Sequence, residues 1–321
     1  MPCYHPLKGY RSRTINRSGK RSITFNSSQG FLDQPLTVPC GQCIGCRLDR
    51  SRQWAIRCHH EASLHEKNCF ITLTYAPEHV PSVSVIHTRQ TYQYLVKKHF
   101  QDFMKRLRFQ YGPGIRYFHC GEYGERYGRP HFHAILFNLD FHDKYVWRKN
   151  STGEFDLYRS PTLEKLWNLG HAELGSVTFE SAAYVARYIV KKVTGRNAED
   201  HYSYVADPET GELGMRKPEY TTMSRRPGIG KPWLEKFALD VFPDDFVLVE
   251  RQGKLVPCGV PKYYTSELEK SDSEMFQNVK IDREVSAHKH AANNTPARLR
   301  VREELQLEKL KLLKRKFDHE A

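Results

Sequence analysis

No stretch of the chain reaches about 18 consecutive apolar residues, so no segment is expected to span a membrane. The first residues lack the apolar run of a secretory signal. Without export, the eight cysteines are expected as reduced thiols or metal ligands, not as a disulfide framework. Acidic residues are outnumbered: 37 Asp and Glu stand against 50 Lys and Arg, a net charge of +13 over 321 residues. Such an excess points to a polyanionic partner, nucleic acid ahead of a membrane surface. Aromatic residues make up 12%. Interleaved with basic ones, they fit a single-strand binder, because bases stack on rings while cations track phosphates. Internal repeats are lacking. Apolar residues amount to 39%, enough for a core but modest, so exposed arms or tails are expected. The length suits one large domain with extensions, or two domains.

Taken in order, residues 1–39 read as an irregular basic arm. Lys8, Arg11, Arg13, Arg17, Lys20 and Arg21 lie among Ser, Gly and Thr, with at most a short strand at Ile23–Phe25. Then comes Cys40-Gly-Gln-Cys43-Ile-Gly-Cys46. Two successive C-x-x-C spacings can set three thiolates around one zinc, and the glycines allow the tight turns. Cys3, His5 and Cys58 are the candidates for a fourth ligand. The second C-x-x-C or H-x-x-H pair of a full zinc motif is lacking, so a Gly-rich loop of reduced cysteines is the competing reading. Leu48–His65 reads as a basic helix.

Phe70–Tyr75 alternates and is rich in β-formers, so it is a predicted strand. Residues 89–111 are a predicted helix, with Val96, Phe100, Phe103 and Leu107 on one side and a stop at Tyr111-Gly-Pro-Gly114. Ile115–Tyr123 and His131–Asn138 are predicted strands of a hairpin, joined across Gly124–Pro130. Residues 140–160 read as a polar loop, Pro161–Leu169 as a short helix and Ala172–Phe179 as a strand that runs into a further helix. Residues 196–230 are polar and turn-rich. A helix over 231–242 and a hairpin of Phe246–Val249 with Lys254–Pro257 follow. From Ser266 the chain is charged. Residues 297–318 read as a basic helix with a narrow stripe of Leu307, Leu310, Leu313 and Phe317, a solvated surface helix rather than a DNA contact.

Two stretches carry chemistry. In Arg129-Pro-His131-Phe-His133-Ala-Ile-Leu-Phe137 the histidines fall on one face of a strand, about 6–7 Å apart, and Phe132 on the other. Two imidazoles so placed can bind one divalent cation. Glu122 on the partner strand can add a carboxylate oxygen, with Glu125 in the turn as its rival. Two nitrogens and one oxygen leave coordination positions open for phosphate and water. In the helix around Tyr184-Val-Ala-Arg187-Tyr188-Ile-Val-Lys191-Lys192, the residues Tyr184, Arg187, Tyr188 and Lys191 share a polar face with Lys192 at its edge. Ala183, Ala186, Ile189, Val190 and Val193 take the apolar face. The two phenols serve equally as nucleophiles or as stacking rings.

His131-Phe-His133 resembles the histidine–hydrophobe–histidine motif of the HUH endonucleases, Phe70–Tyr75 their first motif and Tyr184–Lys191 their tyrosine motif. The doubled form Tyr-x-x-x-Tyr-x-x-Lys is similar to that of replication initiators of small circular single-stranded DNA phages. Met1-Pro-Cys-Tyr-His-Pro6 and Val38–Cys46 resemble the replication proteins of gokushovirus-type microviruses. The resemblance implies an α+β fold, a central antiparallel sheet of five strands flanked by helices, of which the reading above supplies four strands and two helices. On it, residues 1–68 are a basic arm with a Cys-rich segment and helix, 69–195 the endonuclease core, 196–265 an extension of it and 266–321 a charged, partly helical tail.

The resemblance also implies a mechanism. Mg²⁺ or Mn²⁺ on His131, His133 and Glu122 activates a phosphate, and zinc on Cys40, Cys43 and Cys46 stays an open expectation. Tyr184 or Tyr188 attacks, helped by Lys191, Lys192 and Arg187, leaving a 5′-phosphotyrosine and a free 3′-OH. Arg187 follows Tyr184 at the offset where Lys191 follows Tyr188, so the two tyrosines are not expected to be equivalent. Implied partners are single-stranded origin DNA, replicative-form DNA and the host helicase and polymerase, in the cytoplasm of an infected bacterium. Two other readings compete. One is a non-enzymatic single-strand-binding module, and the other the same chemistry in a plasmid initiator, relaxase or transposase.

Overall fold

Period-two alternation decides the centre of the molecule. Along Asn68–Thr74 and Pro130–Phe137 every second residue faces one way, and both faces are buried, so each strand reads as nearly continuous apolar sequence. The computed structural model describes residues 3–312 except 18, 86–89, 125–126, 150–155, 192–201, 203, 207–212, 216 and 252. Its strands are β1 (Leu7–Ile15), β2 (Arg21–Thr24), β3 (Gly30–Val38), β4 (Asn68–Thr74), β5 (Ser82–Val85), β6 (Gln90–Gln93), β7 (Arg116–Tyr123), β8 (Pro130–Phe137), β9 (Tyr145–Arg148), β10 (Leu157–Arg159), β11 (Ala172–Gly175), β12 (Tyr204–Ala206), β13 (Leu213–Met215), β14 (Tyr220–Met223), β15 (Phe246–Arg251) and β16 (Lys254–Gly259). Its helices are α1 (Ile44–Ala62), α2 (Lys97–Tyr111), α3 (Pro161–Trp167), α4 (Phe179–Lys191), α5 (Lys231–Val241), α6 (Lys262–Ser271), α7 (Ser273–Lys289) and α8 (Pro296–Lys311). No helix among the described residues is long and apolar enough to cross a membrane. The chain forms two compact units: Met1–Arg50 with Ile281–Arg315, and Ser51–Lys280 with Lys316–Ala321.

The larger unit is built on an antiparallel sheet of order β14-β7-β8-β4-β11-β10-β9, flanked by helices on both faces. On one face Cys69, Ile71, Leu73, Phe132, Ala134 and Leu136 pack with Phe100, Phe103 and Leu107 of α2 and with Leu163, Leu166 and Trp167 of α3. On the other, Phe70, Phe118, Ile135 and Phe137 pack with Ala55 and Ile56 of α1, Ala182 and Val185 of α4, and Tyr264 and Leu268 of α6. Each fully buried Phe or Leu contributes about 1.5–3 kcal/mol, so both layers hold the sheet rigid. The start of α3 is capped twice. Ser160 Oγ accepts from Leu163 N at 3.1 Å, and Asp143 Oδ2 accepts from Thr162 N at 2.8 Å. Gly170 lies against β4, where a Cβ would stand 2.2 Å from Ala76 N, so only glycine lets the chain enter β11 there.

The strands predicted at Phe70–Tyr75, Ile115–Tyr123, His131–Asn138 and Ala172–Phe179 are neighbours in the middle of this sheet. Instead of five strands the sheet has seven, extended by β14 at one edge and by β10 and β9 at the other. Residues 89–111 are not one helix. Gln90–Gln93, with β-formers Thr91 and Tyr92, pairs with β5, and α2 starts only at Lys97. Residues 1–39 are not irregular: they form the three-stranded sheet β2-β1-β3 of the smaller unit. Its buried backbone positions include Gly9, Ser12 and Gly30, which carry no apolar side chain, so no hydrophobic alternation marks it. Residues 266 onward hold the end of α6 and all of α7 and α8, and Leu268 and Val279 are buried in the core of the larger unit. The end of the helix predicted over 297–318, with Leu313 and Phe317, lies outside the described residues.

Candidate active site and metal-binding groups

Alternation along β8 puts His131 and His133 on the face that also carries Ile135 and Phe137. The register with β7 sets Glu122 opposite His131 and Cys120 opposite His133. Thr72 of β4 lies opposite His133 on its other side. Glu122, His131 and His133 are all buried, with Glu122 only 1% exposed. Glu122 Oε1 lies 2.8 Å from His131 Nε2 and 3.0 Å from His133 Nε2. The two imidazoles stand perpendicular, with centroids 4.9 Å apart. One ligand atom from each residue falls within 4.8 Å of the others.

The outer ring nitrogens show what this group suits. His131 Nδ1 lies 3.1 Å from the Arg129 carbonyl oxygen. A carbonyl only accepts, so Nδ1 carries the proton there. A neutral His131 then turns a lone pair at Nε2 toward a carboxylate oxygen, and two acceptors 2.8 Å apart repel. Either a second proton or a cation held between them removes the conflict. His133 Nδ1 lies 2.9 Å from Thr72 Oγ1, a hydroxyl that can donate or accept, so this contact orients the ring. Histidines oriented through Nδ1, with Nε2 and a carboxylate oxygen converging, form a donor set that fits a divalent cation with open positions. Burial by itself raises the Glu122 pKa. The hydrogen bonds from His131 and His133, and their charge, outweigh it and hold the carboxyl well below the usual carboxylate range.

Helix α4 crosses this face. Thr178 and Ser181 fix its start reciprocally: Ser181 N donates to Thr178 Oγ1 at 3.1 Å, and Thr178 N donates to Ser181 Oγ at 2.8 Å. Two turns on, the Tyr184 ring stands 5.2 Å from the His133 ring and 6.0 Å from Phe70, edge-on to both. The Arg187 guanidinium lies 5.8 Å from the Tyr184 ring centroid. Tyr184 is only 4% exposed, so the polar helix face expected from the sequence is turned inward at this residue. The reason is that the polar group it faces is itself sunk in the sheet, so Tyr184 packs inward together with Ala182, Val185 and Ala186. Ala183, expected on the buried face, is half-buried. Tyr188 and Lys191 belong to α4, but their side chains lie outside the described residues, as do Lys192 and Glu125 altogether.

A second donor group lies in the smaller unit. The sulfurs of Cys3, Cys40, Cys43 and Cys46 fall within 4.8 Å of one another. Of the three candidates for a fourth ligand, Cys3 joins the group. His5 instead pairs with Glu303, Nε2 to Oε2 at 2.6 Å, and Cys58 is buried in the core of the larger unit. Both groups are able to hold a metal ion.

Sequence reading missed the two partners that aim the histidines, Thr72 and the Arg129 carbonyl. The signal for Thr72 was available, since it alternates with Phe70 and Thr74 on a strand that borders β8. A backbone carbonyl carries no sequence signal.

Residues 68–193, from β4 through α4, match the family model described as replication-associated protein ORF2/G2P. The chain is 34% identical over 285 residues to replication-associated protein VP4 of Bdellovibrio phage phiMH2K, covering 86% of this chain and 80% of that one. It is 31% identical over 287 residues to replication-associated protein ORF2 of Spiroplasma virus 4, covering 86% and 83%. It is also 31% identical over 170 residues to replication-associated protein ORF4 of Chlamydia phage 1, covering 48% and 38%. No solved structure matches the chain. With the family model spanning the site-bearing strands and α4, and the first two matches running over most of both chains, the chain belongs to the family of phage replication-associated proteins.

Proposed function

We propose that this protein initiates rolling-circle replication of a circular single-stranded DNA genome by nicking one origin strand and holding the cut end on tyrosine. The observation that carries this reading is the buried Glu122–His131–His133 group with the Tyr184 ring edge-on to it. Family membership and the net charge of +13 support a DNA substrate, single-stranded at the origin and duplex in the replicative form. The seven-stranded antiparallel sheet with helices on both faces suits the HUH fold expected from the motifs.

Glu122, His131 and His133 would hold Mg²⁺ or Mn²⁺, which lowers the charge on a scissile phosphate. Tyr184 Oη, or Tyr188 one helical turn on, attacks phosphorus and gives up its proton. The bond from phosphorus to the 3′ oxygen breaks, and that oxygen takes a proton to become a free 3′-OH. The new bond is a 5′-phosphotyrosine. One phosphodiester replaces another, so the step is reversible and the ends can be rejoined. Arg187 beside the Tyr184 ring favours the phenolate by charge and holds a flanking phosphate, since a guanidinium does not deprotonate. Lys191, behind Tyr188, is suited to proton movement, with Lys192 beside it to hold phosphate. The second tyrosine cleaves the regenerated origin after one round, and the released 3′-OH then closes the first strand into a circle. The 3′-OH is a primer for host polymerase, with a host helicase opening the duplex ahead.

The test is incubation of the full chain with origin single strand and Mn²⁺, followed by denaturing electrophoresis. A covalent protein–DNA band is expected, absent after chelation and absent from the Tyr184→Phe, Tyr188→Phe double variant. No band with the unaltered chain, or a band that survives in the double variant, would overturn the mechanism. Tight chelator-insensitive binding without cleavage would mark a single-strand-binding protein instead.

A further inference from the structure

We propose that Cys3, Cys40, Cys43 and Cys46 hold one zinc ion as a closed tetrathiolate, and that this ion is the interior around which the unit Met1–Arg50 with Ile281–Arg315 folds. This stands independently of the nuclease reading. Four sulfurs around zinc at about 2.3 Å form a tetrahedron with edges of about 3.8 Å. The Cys3 and Cys43 sulfurs are 3.9 Å apart, and all four fall within 4.8 Å. A disulfide would need about 2.05 Å.

The backbone around the sulfurs is arranged for anionic thiolates. Tyr4 N donates to Cys43 Sγ at 3.3 Å, Cys40 N to Cys3 Sγ at 3.2 Å and Cys43 N to Cys40 Sγ at 3.3 Å. Neutral thiols are weak acceptors, and three such bonds converging on one cluster suit negative sulfur. The turn inside Cys40-Gly-Gln-Cys43 that aims Cys43 N back at Cys40 requires a left-handed residue, and Gly41 has φ +75°. With four protein sulfurs no position is left for substrate, so the ion is structural and not catalytic.

The unit has little else to fold around. Among its described residues the buried apolar cluster is Tyr4, Cys43 and Leu299, with Cys3, Cys40, Ile44 and Cys46 partly buried against it. Its sheet exposes Leu7, Ile15, Ile23 and Leu32, and Phe25 beside it is exposed as well. A unit of this size with so small a core is of the kind that relies on a metal or on disulfides. The ligands come from ahead of β1, from the loop after β3 and from the first turn of α1, and Leu299 of α8 packs on them. Zinc therefore joins the start of the chain to the loop after β3 and to α1, with α8 packed on the cluster through Leu299, and its binding free energy becomes folding free energy of this unit.

The test uses the full chain, purified without chelator, with zinc measured by elemental analysis and by release during titration with an organomercurial. We expect one zinc per chain, released in step with the reactive thiols, and retained in the His131→Ala, His133→Ala double variant. Cobalt exchanged into the site should show the thiolate-to-metal absorption and the intense visible bands of a tetrahedral sulfur site. Cys3→Ser should lose the zinc, while His5→Ala and Cys58→Ala keep it. Hydrogen exchange on zinc removal should speed up more than tenfold in β1, β3 and α8 and stay unchanged in β4, β7 and β8. A zinc-free chain with four free thiols, a disulfide within the group, or full zinc in Cys3→Ser would each overturn the proposal. If Cys3→Ser does not fold, the mercurial titration and cobalt spectrum of the unaltered chain still decide it.

Discussion

Glu122, His131 and His133 stand on two paired strands whose opposite face carries Phe132 in a packed core, whereas Cys3, Cys40 and Cys43 stand on loops around Tyr4 and Leu299. In the first group the scaffold holds the donors together whether or not an ion is bound. The strand register keeps Glu122 Oε1 2.8 Å from His131 Nε2, because the packed sheet leaves these side chains nowhere else to go. In the second group the donors gather where little else does, so there the ion would organise the scaffold. The contrast teaches that loss of metal should cost activity at one group and structure at the other.

The largest effect expected from breaking this contrast is at Glu122. Glu122→Gln keeps the shape and removes a ligand charge. Adduct formation with origin DNA should fall by about 10²–10³-fold with zinc content unchanged. Equal loss of zinc and adduct would merge the two groups into one. Next comes Cys46→Ser, which should open the smaller unit to limited proteolysis. Nicking of a short single-stranded oligonucleotide should remain within about threefold, as Glu122, His131 and His133 stay on their strands. A smaller change should follow Thr72→Val, which removes the oxygen that orients His133 Nδ1. Activity at limiting Mn²⁺ should drop about 10–100-fold and recover in part as Mn²⁺ is raised. Failure to recover would show that Thr72 acts other than by aiming a ligand.

The smallest effect is on stability against pH. Burial, with the neighbouring His59 adding to it, brings the His60 pKa down to about 3, and His60 stacks on Trp233 with centroids 3.5 Å apart. Its folded pKa lies below the unfolded value of about 6.5, so the unfolded chain binds the extra proton. Stability from this group is therefore whole above about pH 6.5 and declines as pH falls toward 3, by about 1.4 kcal/mol per pH unit. Buried His119 shifts in the same direction, from burial first and then from the nearby His133 and Lys97. The Glu122 carboxylate adds stability above its usual range that is lost only at lower pH. Urea unfolding between pH 7 and 5 should show this slope in the sheet unit, and His60→Gln should flatten it. An unchanged slope would place the acid sensitivity elsewhere.

What could be read in advance follows from where apolar side chains carry the pattern. β4 and β8 carry Phe, Ile and Leu along the pleat and β7 carries aromatic β-formers, so the sheet centre and the same-face histidines were legible. The apolar face of α4 marked a helix bringing Tyr184 and Tyr188 to one side. Its rotation against the sheet was not legible, because Tyr184 packs on His133 and Phe70, a contact that periodicity assigns to no face. β1 and β3 were missed because strand pairing there rests on backbone, with Gly9 and Gly30 at the close approaches. Cys3 was one of three candidates until the fold placed its sulfur 3.2 Å from Cys40 N, since a sequence separation of 37 hides that neighbourhood.

The most direct test of the account is mass spectrometry of peptides from the covalent adduct formed with origin DNA and Mn²⁺. The account predicts a nucleotide joined through its 5′-phosphate to Tyr184 or Tyr188, on the peptide that contains α4. Attachment at any other residue, or cleavage with water and no adduct at all, would contradict it.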